Sequence, residues 1–112
     1  MKTKSYKTEP IKENPHGVDV RTLYDEPSAQ VMHITLQPGE SLKPHKTPVD
    51  AIFYVMDGEP TIHISNESIV QVKDTLIESP ANVLHYISNE SSEPVRILVI
   101  KSPRPENKPK LL

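Results

Sequence analysis

The stretch Gly39-Glu-Ser-Leu-Lys-Pro-His45-Lys-Thr47-Pro-Val-Asp50-Ala51-Ile-Phe-Tyr-Val-Met-Asp-Gly58 governs how the whole chain reads. Its first half is interrupted by Pro44 and Pro48, which lack a backbone donor and confine any strand there to a short or edge piece. The second half, Ala51 to Met56, is a run of strand formers with apolar residues on both faces, the pattern of a strand buried on two sides. Asp57-Gly58 closes it as a hairpin signal. Outward from here the same grammar repeats. Strands are expected over residues 18–24, 29–36, 61–65, 68–72, 75–78, 83–88 and 94–101. In the second of these, Met32, Ile34 and Leu36 share one face and Val31, His33 and Thr35 the other. Turn residues recur roughly every 8–12 positions and no helical periodicity appears, which fits an all-β sandwich or barrel.

Composition agrees with that reading and excludes several functions. Twelve prolines in 112 residues leave little room for long helices. The hydrophobic share is 35%, enough for a small core only, and pairing into a homodimer would cover more apolar surface. A formal net charge of -2 offers no basic face for nucleic acid. Without cysteine there are no disulfides, thiolate metal sites or thiol nucleophiles. The longest apolar run, Ile97 to Ile100, is far short of the ~20 residues of a membrane span. No apolar segment follows the charged start, so a cytoplasmic location is expected. Residues 1–17 read as an arm, loose or laid on a partner subunit. Residues 18–101 form the barrel, and residues 102–112 a solvated Pro/Lys-rich tail.

Two segments resemble the paired motifs of the cupins, small jelly-roll (double-stranded β-helix) barrels that carry a ligand or metal in the mouth. The first motif, G-x5-H-x-H-x3/4-E-x6-G, is similar to Gly39–Gly58, with His45 at the first histidine, Thr47 at the second and Ala51 at the glutamate. The second, G-x5-P-x-G-x2-H-x3-N, is similar to Asp74-Thr-Leu-Ile-Glu-Ser-Pro80-Ala-Asn82-Val-Leu-His85-Tyr-Ile-Ser-Asn89. Asp74 and Asn82 replace its glycines, and both tolerate left-handed backbone. The 15 residues between the motifs match a minimal cupin linker.

The resemblance implies a fold more firmly than a reaction. A metallated cupin holds one divalent ion (Fe, Mn, Ni or Zn) on three histidines and a carboxylate. Only His45 and His85 survive here. Asp50 completes a two-histidine, one-carboxylate set only if a bulge re-aims it, which would suit an oxygenase or isomerase. The first reading is instead a small organic ligand in the barrel mouth. His45, Thr47 and His85 would be its polar groups, Phe53 and Val55 its walls, and Ala51 would add apolar room. His33 and His63 are expected at the surface or on a dimer face, and His16 in solvent.

Overall fold

Alternation along each strand decides which side chains meet in the middle of the protein. The computed structural model describes residues 1–106 and the backbone of Lys110–Leu111. Its strands are β1 (Asp19–Glu26), β2 (Ala29–Leu36), β3 (His45–Lys46), β4 (Ala51–Asp57), β5 (Thr61–Ile64), β6 (Glu67–Val70), β7 (Leu76–Ser79), β8 (His85–Ser88), β9 (Val95–Lys101) and β10 (Lys110–Leu111). They form two antiparallel sheets, ordered β1-β2-β9-β4-β7 and β10-β3-β8-β5-β6. The all-β jelly-roll barrel expected from the sequence is the observed fold. No helix among the described residues is long and apolar enough to cross a membrane.

The inward faces supply the core: Val20, Ile34 and Leu36 from the first two strands, Phe53 and Val55 from β4, Ile62 and Ile87 from the second sheet, and Val95, Ile97 and Val99 from β9. Burying side chains of this size contributes about 1.5–3 kcal/mol each before chain entropy is set against it. Gly58 turns β4 into β5 at a φ of +79°, and a Cβ there would stand 2.5 Å from the Pro94 carbonyl oxygen, so only glycine fits. Asp74 and Asn82, the residues in place of motif glycines, take φ of 65° and 63°. Asn89 pins the end of β8 by donating to the carbonyls of Leu36 and Glu93.

Three expectations change. β4 is buried on one face only: Ala51, Phe53 and Val55 point inward, whereas Ile52, Tyr54 and Met56 are half-buried on the outside of the sheet. The arm is not loose. Arg21 of β1 donates to the carbonyls of Tyr6 and Glu9 and holds the arm against its own barrel. Nor is the tail wholly solvated, since Lys110–Leu111 pairs with His45–Lys46 and Arg104 bonds back to Asp25. Residues 107–109 and Leu112, also assigned to the tail, lie outside the described residues.

Candidate functional site

His45 and His85 are forty positions apart in sequence and directly opposite each other across β3 and β8. Their Nε2 atoms are 3.2 Å apart, with the rings edge to face. The carbonyl of Lys43 fixes the proton positions. It can only accept, so at 2.9 Å it requires N–H at Nδ1 of His45. The lone pair of His45 Nε2 then accepts from Nε2–H of His85. His85 Nδ1 in turn accepts from the Ser79 hydroxyl at 2.7 Å. A single directed chain results, Ser79 to His85 to His45 to the Lys43 carbonyl, and both imidazoles in it are neutral.

A third imidazole joins from the arm. Asn14 accepts from the His16 amide and donates to the Val18 carbonyl, tying a turn that carries His16 toward the barrel. His16 Nδ1 accepts the Lys43 amide at 2.8 Å, and its ring centroid lies 5.3 Å from that of His45. The Lys43 backbone therefore holds His16 by its N–H and His45 by its C=O. Burial keeps all three rings from protonating. It pushes His85 down to about 3, helped by His45 and Lys101. It lowers His16 to about 4, with His45, Lys43 and Lys101 adding to the effect. It lowers His45 as well, against the opposing bond to Lys43.

These rings open onto a cavity of about 620 Å³. Its apolar walls are Met32, Ile34, Leu42, Phe53, Ile87 and Val99, and residues 12–16 of the arm form one side. His45, Phe53 and His85 line this cavity. Thr47, Ala51 and Val55 are buried but do not line the cavity. The hydroxyl of Thr47 faces His85 Nε2 at 3.5 Å, and Ala51 and Val55 are buried in the core. Asp50 is a clear correction. It is exposed and its carboxylate accepts the Ala81 amide, so it stabilises the loop and is not turned toward the histidines.

Two further histidines lie on the outer faces of the sheets. His33 is on the outer face of its sheet, but it is 1% exposed because the Tyr6 ring stacks on it at 4.2 Å. Arg96 donates to His33 Nε2 and lies over the same Tyr6 ring. His63 packs flat on Tyr86 on the outside of the second sheet. His16 and Lys101 are two of the cavity residues the sequence reading missed. A histidine in a Pro-rich arm and a lysine at a strand end carry no local signal of a pocket.

The donor set does not suit a transition metal. Such an ion needs several lone pairs converging from fixed side chains. Two imidazole nitrogens converge here, and the lone pair of one already accepts a hydrogen bond. Thr47 and Ala51 stand where the motif has its other ligands, and the Lys101 ammonium shares the space. No group of three or more His, Asp or Glu suited to a metal occurs among the described residues.

The profile of the Cupin domain family matches residues 32–101, well over half of the chain. No curated protein matches it. Among solved structures, the TT1209 protein of Thermus thermophilus is similar at 25% identity and a TM-score of 0.81, over 94% of this chain and 100% of that one. An RmlC-like cupin family protein with a double-stranded β-helix fold from Methanocaldococcus jannaschii is 23% identical, with a TM-score of 0.76 over 88% of this chain and 92% of that one. The polyketide cyclase RemF of Streptomyces resistomycificus is 16% identical, with a TM-score of 0.84 over 100% of this chain and 85% of that one.

Proposed function

The chain belongs to the cupin domain family, and from that premise we propose that it holds a small organic ligand in the barrel cavity without a resident metal ion. The observation that carries this reading is the pairing of a mostly apolar cavity of about 620 Å³ with a few fixed polar groups along one side. That combination suits a ligand with an apolar body and one polar end. No observation favours the oxygenase or isomerase alternative, because its carboxylate ligand, Asp50, faces the loop at Ala81.

Two measurements test the reading together. Elemental analysis of untagged protein is expected to find iron, manganese, nickel and zinc far below one ion per chain. The neutral aromatic probe 2-naphthol is expected to raise Tm, and Met32→Trp, which fills the cavity from its half-buried wall, is expected to weaken that binding about tenfold, or ~1.4 kcal/mol. A stoichiometric metal, or probe binding indifferent to Met32→Trp, would overturn it.

We also propose that the outer face of the first sheet pairs two copies of the chain. Ile52 and Tyr54 of β4, Leu98 and Ile100 of β9 and Leu76 of β7 form an adjoining apolar surface there, through the registers Ile52↔Ile100, Tyr54↔Leu98 and Tyr54↔Leu76. Leu76 is 54% exposed. Contiguous apolar patches of this kind on a sheet are characteristic of interfaces. Analytical ultracentrifugation is expected to show a dimer, and Leu98→Glu a monomer, because a charge at the centre of such a face has no partner when buried. A monomeric wild type would remove this proposal.

A further inference from the structure

Inside its exposed rim, the cavity carries charge of one sign. Lys101 continues the inward face of β9 after Val95, Ile97 and Val99, and it lines the cavity with His45 and His85. Its neighbours across the sheet are Ala51 on β4 and Gln30 on β2. No hydrogen bond or ion pair holds the Lys101 ammonium among the described residues. The acidic residues at the cavity, Glu13 and Glu106, are both exposed at its rim. The three imidazoles are neutral and carry no negative charge. Of the two lysines at the cavity, Lys12 is exposed at the rim, whereas the Lys101 ammonium sits beside apolar walls with no anion bonded to it among the described residues, and burial works against its charge.

Such an arrangement selects its ligand by charge. We infer that the cavity takes an organic monocarboxylate, with its anionic oxygens on the Lys101 ammonium and its apolar body against Phe53, Leu42 and Val99. A second donor is available. His16 accepts the Lys43 amide at Nδ1, so its proton is on Nε2, which has no partner among the described residues. A phosphate is a poorer match, since it carries more charge than one ammonium offsets and no arginine lines the cavity.

This inference rests on the organic-ligand reading above, and one experiment separates the two. The probes are 2-naphthoate and 2-naphthamide, matched in shape and differing in charge, titrated calorimetrically into the full chain. The acid is expected to bind at least about tenfold more tightly than the amide. Lys101→Met, similar in volume, is expected to bring the two affinities within about twofold. Equal affinities in the wild type, or a preference surviving Lys101→Met, would overturn the carboxylate assignment and leave the organic-ligand reading in place. Binding of neither probe would overturn both. If Lys101→Met does not fold, the wild-type ratio decides alone.

Discussion

Lowering the pH from about 7.5 to about 4.5 is expected to lower Tm by about 15 °C. The effect originates in the imidazole cluster. Burial, with the nearby His45 and Lys101, holds His85 down at about 3 in the folded chain. Burial likewise lowers His16 and His33 to about 4, with His45 and Lys43 adding to the first and Arg96 to the second. In the unfolded chain each returns to about 6.5. Between these values the unfolded state binds more protons than the folded one, so stability falls as pH falls through that window and is fully present above it. For His85 alone, with allowance for solvent screening, the loss over this range is on the order of 2 kcal/mol, the other two rings add to it, and a domain of this size loses roughly 5 °C per kcal/mol.

The control is His85→Gln. It removes the titrating ring, and its amide can still bond Ser79. It is expected to lower Tm at neutral pH, through the broken chain to His45, and to flatten the acid slope. Thermal melts of both proteins across this pH range check it. A wild-type Tm unchanged down to pH of about 4.5 would refute the account, because it would mean the rings protonate without loss of packing.

What the sequence could convey depended on whether the signal was local. Alternation in Ala29–Leu36 and the Asp57-Gly58 turn are local, and both were legible. The same holds for the left-handed positions at Asp74 and Asn82, whose side chains tolerate that backbone. The meeting of His45 and His85 was legible through the spacing of two motifs. Lys101 was not, because its importance comes from its register opposite Ala51, a pairing fifty positions away. His16 reaches the site by an Asn14 turn and the Lys43 peptide, neither of which has a distinctive sequence. Asp50 misled for the opposite reason. Its proximity to a motif position suggested a ligand, but a neighbouring amide at Ala81 had already claimed its carboxylate. Counting apolar residues on both faces of β4 likewise could not say whether the outer face meets the same chain or another.

The arm ties these observations together, and it supplies the second large effect. Tyr6→Ala is expected to lower Tm by about 10 °C and to loosen the cavity wall at residues 12–16. The Tyr6 ring contacts two partners, stacked on His33 with centroids 4.2 Å apart and with the Arg96 guanidinium carbon 4.1 Å from its own centroid. Stacking and cation–π contacts of this kind contribute roughly 0.5–1.5 and 0.5–1 kcal/mol, so their joint loss is on the order of 2 kcal/mol. Truncation also uncovers His33, whose Nδ1 is buried without a partner among the described residues, and water offsets part of the cost by reaching it. Downstream of the clamp the arm is tied by few bonds, chiefly Lys12 N–H to the Val20 carbonyl and the Asn14 contacts. Releasing Tyr6 is therefore expected to speed amide exchange at Lys12 and His16 by about tenfold while β9 exchanges as before. Thr8→Ala, an exposed position on the same arm, should leave both readouts unchanged. Unaltered exchange at Lys12 in Tyr6→Ala would show that the cavity wall stands without the clamp, and that the arm and the imidazole cluster fold as separate units.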